Sequence, residues 1–177
     1  MKKLFFLLST IALLSSCDKD GQIFAGKDKL PPETQTGENT VGCLVNGKVF
    51  LPHQQGISSP VNCYYQFVKG EYYFTMAFGD MRGTGIEDVN IFTAKINLQE
   101  GQTYLLNQGY GPDKGAGAEY YTDLNNKFST NLINIGEVII TRIDVSKSIV
   151  SGTFWFDAVN SKGEKVEIRE GRFDWNY

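Results

Sequence analysis

The residues that could do chemistry in this chain are few, and their spacing argues mostly against catalysis. His53 is the single histidine. A Ser-His-acid relay would therefore have to run through a residue that follows Pro52 in a loop, and no serine stands in a Gly-x-Ser-x-Gly context. His53 reads as a surface loop residue. A Cys43–His53 pair would need a reactive thiol on a strand, where structural thiols predominate. Two-carboxylate hydrolysis needs acids held a few ångströms apart, and Glu87, Asp88, Glu119 and Asp123 are what any mildly acidic chain contains. Asp80, Glu87 and Asp88 in "GDMRGTGIEDVN" do not follow the spacing of an EF-hand loop. With one histidine and no Cys-x-x-Cys, a zinc site lacks ligands. The stretch "NQGYGPDKGAGAEYY" has glycines but neither the order of a phosphate loop nor a helix after it, and reads as a long hairpin loop. No catalytic set, metal or cofactor is expected.

Aromatic side chains are the one surplus that points to binding. The chain has 12 Phe, 9 Tyr and 2 Trp. In "CYYQF", "EYYF" and "EYYTD" aromatic residues are consecutive, so on a strand the two members of each pair point to opposite faces. Tyr64, Tyr73, Tyr121 and Trp155 are thereby candidates for an exposed platform that binds sugar rings or an envelope protein. The competing reading is that both faces are covered by a second sheet or by loops.

Of the three cysteines, Cys17 has the most specific context. "MKK" is a basic start, "LFFLLSTIALL" an apolar run of 11 residues, and Ser15 and Ser16 are the small residues a signal peptidase requires. Eleven residues of helix cover about 17 Å, against about 30 Å of hydrocarbon, so the run is too short to span a bilayer. Leu14-Ser15-Ser16-Cys17 resembles the lipobox of bacterial lipoproteins, which implies acylation of Cys17 and membrane attachment through its acyl chains. The expected division is a signal peptide over 1–16, a lipidated Cys17 with a flexible tether over 17–40, and one domain over 41–177. Asp18 and Asp20 resemble, in part, the acidic surface-export signal of some Bacteroidetes lipoproteins, with Lys19 interrupting it. Outer-membrane attachment is expected, with the periplasmic face and the cell surface both open. The remaining Cys43 and Cys63 fall on early strands, where they either close a loop of about 20 residues as a disulfide or pack as separate buried thiols.

The elements that must position these residues are strands. Removing residues 1–16 leaves 161, enough for one domain with a core. Lys2 and Lys3 leave with the leader, so 15 basic residues face 20 acidic ones and the net charge is about −5. No basic cluster remains for nucleic acid. Asn46-Gly47 between β-prone runs signals a tight hairpin. Val61, Cys63, Tyr65 and Phe67 share one face, and Tyr72, Phe74, Met76 and Phe78 return at period 2 after a Lys69-Gly70-Glu71 turn. "VNIFTAKINL", "TYLLN", "AEYYTDL" and "GEVIITRIDV" add short runs. Near the C-terminus Val150, Phe154, Phe156 and Ala158 oppose Ser151, Thr153, Trp155 and Asp157. Val166, Ile168, Phe173, Trp175 and Tyr177 then continue the alternation beyond a turn at 160–163. No apolar 3.6-residue period persists. The expected fold is all-β, an antiparallel sandwich or barrel of about eight to ten short strands.

Two segments, "LPPETQTGENTVGCLVNGKVF" and "ITRIDVSKSIVSGTFWFDAVNSKGEKVEIREGRFD", resemble the opening and closing blocks of an uncharacterised family of Bacteroidetes envelope lipoproteins, a domain of unknown function. The resemblance implies an envelope lipoprotein with a β domain and carries no catalytic residues. Three function classes follow. The leading one is a non-enzymatic binding or structural module held to the membrane at Cys17, with a glycan or envelope protein as partner. The second is an envelope hydrolase acting on glycan or peptide. The third is a small membrane-inserted barrel, prompted by Phe173, Trp175 and Tyr177 and opposed by charges on both faces of "KVEIREGR".

Overall fold

The computed structural model describes residues 29–177, apart from positions 55, 83–85, 112 and 124. The leader, Cys17 and the first part of the 17–40 segment lie outside the described residues. Eleven strands and no helix occur among them: β1 (Thr40–Val45), β2 (Lys48–Phe50), β3 (Val61–Val68), β4 (Glu71–Asp80), β5 (Glu87–Ala94), β6 (Thr103–Leu106), β7 (Gly115–Asp123), β8 (Asn126–Ser129), β9 (Gly136–Asp144), β10 (Ile149–Val159) and β11 (Lys165–Asn176). The count exceeds eight to ten because β2, β6 and β8 have only three or four residues each, too few to show an alternation.

All strand pairs are antiparallel and form one open sheet in the order β2-β1-β11-β10-β8-β7-β5-β4-β3, with β9 and β6 branching from β10. β10 is the hinge of the fold. Its residues Ile149 to Phe156 pair with β9, whereas Val159 pairs with Ser129 of β8. The sheet bends there, so that β2-β1-β11-β10-β9-β6 packs against β8-β7-β5-β4-β3. Rings meet across the gap: Phe74 and Phe173 at 5.8 Å, Phe78 and Phe154 at 6.3 Å, Phe50 and Phe78 at 5.8 Å. Of the two architectures left open, the fold is sandwich-like.

The predicted hairpins form for the predicted reasons. Asn46 and Gly47 have φ of 48° and 79°, and Lys69 and Gly70 have 51° and 90°. These positive angles give two-residue turns a twist that matches the strands. The registers Val61↔Phe78, Cys63↔Met76, Tyr65↔Phe74 and Phe67↔Tyr72 place the two alternating sets opposite one another. Phe74, Met76, Phe78, Val89, Ile91, Val138, Ile140, Val150, Phe156 and Ile168 are at most 1% exposed, each contributing roughly 1.5–3 kcal/mol of burial. The C-terminal alternation serves this same interior. Phe173 belongs to the core, Trp175 and Tyr177 pack against it, and the Tyr177 ring meets Tyr65 edge-on at 5.8 Å.

Cys43 on β1 lies opposite Phe50, and Cys63 on β3 opposite Met76; both are free thiols, so the disulfide weighed from the sequence is not formed. The reason is topological. β1 pairs with β2 and β11 while β3 pairs with β4, so strands that are early in sequence are not neighbours in the sheet. Burial raises both thiol pKa values, that of Cys63 to about 12.

The last residues before β1 are fastened to the sheet. Asp174 and Ser151 face each other across β11 and β10 on the side away from the core, yet they are 1% and 0% exposed. The cover is residues 36–38. The backbone N–H groups of Thr36, Gly37 and Glu38 donate to the Asp174 carboxylate at 3.0, 2.9 and 3.1 Å, and the Ser151 hydroxyl donates at 2.7 Å. Asn176 adds bonds to the Gly37 carbonyl and the Asn39 side chain. Pro31 is buried beside Gly42.

Candidate ligand-binding cleft

The outward positions of β3, β4 and β5 follow from their inward ones. On β4, Tyr73, Thr75 and Ala77 alternate with the core residues Phe74, Met76 and Phe78; on β3, Tyr64 sits between Cys63 and Tyr65; on β5, Phe92 follows the core residue Ile91. The registers line them up in two rows: Tyr64↔Thr75↔Phe92, and Gln66↔Tyr73↔Ala94. Tyr64, Tyr73, Thr75, Phe92 and Ala94, together with Lys95, Tyr110 and Gly111, line a cleft of about 620 Å³. Phe92 and Thr75 are only 3% and 6% exposed although they face outward. The Tyr110 ring covers Phe92, meeting it edge-on at 5.2 Å while staying 67% exposed itself.

The loop that carries Tyr110 is seated by glycine and by a buried carboxylate. Gly115 and Gly117 are on the outward face of β7. A Cβ on Gly117 would lie 1.9 Å from the Gln108 carbonyl oxygen and 2.6 Å from the Phe92 ring, and one on Gly115 would strike the Gln108 side chain. Only bare backbone lets the loop and the ring lie this close. "GAGAEYY" is therefore strand, and the hairpin loop read from the sequence ends at residue 114. Two places further along β7, Glu119 is 2% exposed. A buried carboxylate is costly unless hydrogen bonds compensate it, and four donors do so: Lys127 Nζ at 3.0 Å, the Tyr121 hydroxyl at 2.7 Å, the Ser129 hydroxyl at 3.5 Å and the Tyr110 backbone N–H at 3.3 Å. Glu119 thus ties the cleft wall to the sheet.

Of the four aromatic residues singled out by sequence, the structure brings Tyr64 and Tyr73 together and separates the others from them. Tyr121 spends its hydroxyl on Glu119; burial, then that carboxylate, raise its pKa. Trp155 lies on the other layer, in a depression of about 320 Å³ with Glu33, Glu137, Glu170 and Arg172. Its indole N–H donates to Glu137 at 3.4 Å, and the Arg169 guanidinium sits 5.6 Å from its ring centre, covering one face. Phe92, Thr75, Lys95 and Tyr110 were not anticipated. Ile91-Phe92 is an apolar pair with no preferred parity, and Tyr110 carried no signal beyond its flanking glycines.

A second, polar constellation sits at one mouth of the sandwich. His53, in the connection between β2 and β3 as read from the sequence, is half-buried and forms an isolated bridge with Asp80. Its Nδ1 lies 2.9 Å from the Leu51 carbonyl and 3.4 Å from the Asp80 carboxylate. Asp80 pairs with Glu87 in register, Arg82 grips Asp80 at 2.6 Å, and the Tyr120 hydroxyl donates to Glu87 at 3.2 Å. Cavities of about 340 and 190 Å³ share Asp80 and Glu87. Arg82, through its side-chain hydrogen bonds, holds the Asp80 pKa below the usual carboxylate range. A clamped, ionised carboxylate is a poor proton donor. Asp88, facing the opposite way on β5, has a carboxyl group raised to about 7 by burial. Glu119, on the same face of β7, is 2% exposed, and its burial keeps substrate atoms from reaching it. Among the described residues no group of three or more His, Cys, Asp or Glu could hold a metal ion.

Residues 75–174, more than half of the chain, match a protein family described as a domain of unknown function (DUF6252). The match runs from the cleft residue Thr75 to Asp174, the residue that fastens the N-terminal segment. No curated protein and no solved structure matches the chain.

Proposed function

The chain belongs to the DUF6252 family, whose function is unassigned, and from that premise we propose that it is a lipid-anchored cell-envelope protein that binds its ligand, without turning it over, in the cleft between Tyr64, Tyr73, Phe92 and Tyr110. The attachment rests on the lipobox-like Leu14-Ser15-Ser16-Cys17 and on the resemblance to Bacteroidetes lipoproteins, with the outer membrane as its site. The binding role rests on one observation. Aromatic side chains line an open cleft of about 620 Å³ on the outward face of a sheet whose inward face already supplies the core.

Such a surface suits a ligand with an apolar face and a hydroxylated edge. Tyrosine rings stack on the C–H face of a sugar while their hydroxyl groups and Thr75 meet its polar rim. A saccharide of an envelope or extracellular glycan is therefore the ligand class. The hydrolase alternative would have to use the mouth around Asp80, Glu87 and His53, where the clamped Asp80 leaves the proton donor undefined.

The test is titration of the purified full chain against a panel of glycans by calorimetry. Binding that falls at least tenfold in Tyr73→Ala, about 1.4 kcal/mol, with unchanged far-ultraviolet circular dichroism, supports the cleft. Binding indifferent to both Tyr73→Ala and Tyr64→Ala removes it. Turnover of a bound glycan would replace the binding role with the hydrolase. Mass spectrometry of the protein from its native host tests the anchor: diacylglycerol on Cys17 is the expected result, and an unmodified N-terminus overturns it.

A further inference from the structure

Among the described residues the aromatic cleft has one charged residue in its lining, and that residue is a cation. We infer that the ligand carries a carboxylate, a uronic-acid saccharide, and that Lys95 is the group that recognises it. This rests on the binding reading above and sharpens it from a sugar to an acidic sugar.

Lys95 directly follows β5, at the point where the β4–β5 ladder is interrupted. Ala94 still pairs with Tyr73, Ile96 donates its N–H to the Tyr72 carbonyl, and Lys95 between them takes a φ of 59°. That left-handed conformation disfavours a residue with a Cβ, so a glycine or asparagine would hold the backbone there with less strain. What lysine adds at this position is its side chain, at the rim of the cleft. Lys95 is half-buried and forms no ion pair among the described residues. Several other cations on the sheet are engaged, Lys127 with Glu119, Arg142 with Asp144, Arg169 with Asp157 and Arg82 with Asp80, and Lys48 and Lys165, which also form no ion pair among the described residues, do not line the cleft.

The contrast with the other concavities strengthens the assignment. The depression at Trp155 is lined by three glutamates against one arginine, and the mouth at Asp80 and Glu87 sets two carboxylates against one lysine, Lys48. Among the described residues the aromatic cleft is lined by no carboxylate, in a chain with more acidic than basic residues. An anionic ligand is repelled by the first two and admitted by the third. Complementarity of this kind sets specificity more than raw affinity. An ammonium at a partly covered rim distinguishes a carboxylate from its neutral ester and leaves the stacking contribution of Tyr64 and Tyr73 the same for both.

The experiment uses tetragalacturonate and its fully methyl-esterified form, which share the ring and differ in charge, titrated into the full chain. The expected result is at least tenfold tighter binding of the free acid, an advantage that shrinks with added salt, vanishes in Lys95→Met and survives in Lys95→Arg. Equal binding of acid and ester, or an advantage that persists in Lys95→Met, overturns the carboxylate inference while leaving the cleft reading intact. Binding of neither form, or binding of both that survives Tyr73→Ala, overturns the two together.

Discussion

Asp174→Ala should detach the segment ahead of β1 and weaken the whole fold. The wild-type carboxylate is 1% exposed and accepts four hydrogen bonds, three from backbone N–H groups and one from Ser151. Bonds to a charged group are worth about 1.5–3 kcal/mol each, so four at the low end would amount to about 6 kcal/mol. Release of the segment returns three of the donors to water and restores backbone freedom of about 1–2 kcal/mol per residue, which limits the net loss to about 2–4 kcal/mol. The pH dependence has a definite sign. Burial alone would raise the Asp174 pKa, but the Ser151 hydroxyl and the Glu38 and Gly37 N–H groups outweigh it and hold it below the usual value. A carboxyl group whose folded pKa is depressed stabilises fully above its unfolded value of about 3.9 and loses that contribution as pH falls through the folded value. The gap between wild type and Asp174→Ala is therefore widest above pH about 5 and narrows below about 4. Urea unfolding followed through Trp155 and Trp175, with amide exchange at residues 36–38, measures both effects. A change below about 0.5 kcal/mol at neutral pH, with those amides still protected, would refute the reasoning.

Further measurements address other parts of the molecule. Gly117→Val should cost about 1–3 kcal/mol, because its side chain overlaps the Gln108 carbonyl and the Phe92 ring; loss of the Tyr110–Phe92 ring contact in nuclear Overhauser spectra would accompany displacement of the loop, and unaltered stability would contradict the packing. Phe78→Ala, at 0% exposure in the centre of the core, should cost about 3–5 kcal/mol in denaturant unfolding. Cys43 and Cys63 should resist a thiol-reactive disulfide reagent at pH 8 in the native state and react once unfolded, since burial raises both pKa values; rapid native labelling would show that the strands open. The Asp88 carboxyl, raised to about 7, binds its proton more tightly in the folded state than in the unfolded, so its ionisation lowers stability as pH rises from about 4 to about 7. Asp88→Asn should therefore melt higher than wild type at pH 8 and about equally at pH 4, and the reverse order in differential scanning calorimetry would disprove the burial cause.

How much of this was legible in the sequence depends on whether the information was local. The Asn46-Gly47 and Lys69-Gly70 turns, the paired faces of β3 and β4, and the inward set Val150, Phe154, Phe156 and Ala158 are written in neighbouring residues, and all formed as read. Long-range pairing was not legible. Nothing near Cys43 or Cys63 says that their strands fall in different layers, so the disulfide stayed open. The tyrosine platform was half legible, because period 2 shows that Tyr64 and Tyr73 leave the core but not which neighbours join them. Phe92 comes from β5 and Tyr110 from a loop seated by Gly117 and Glu119, contacts that exist only once β7 has paired with β5. The bridge from His53 to Asp80, 27 positions away, was hidden for the same reason.

The clasp at Asp174 also bears on how the domain would be presented by an anchored chain. It grips the outward surface of the β10–β11 layer, while the tyrosine cleft opens from the outward surface of the β3–β4–β5 layer, so the two sit on opposite flanks of the sandwich. Between Cys17 and Lys29 there are 12 peptide steps, a leash of at most about 40 Å. Were the chain moored by lipid at Cys17 as proposed, so short a span would turn the clasped flank toward the bilayer and the cleft toward the aqueous side, where a polymer too large to slip beneath the protein could still settle into it.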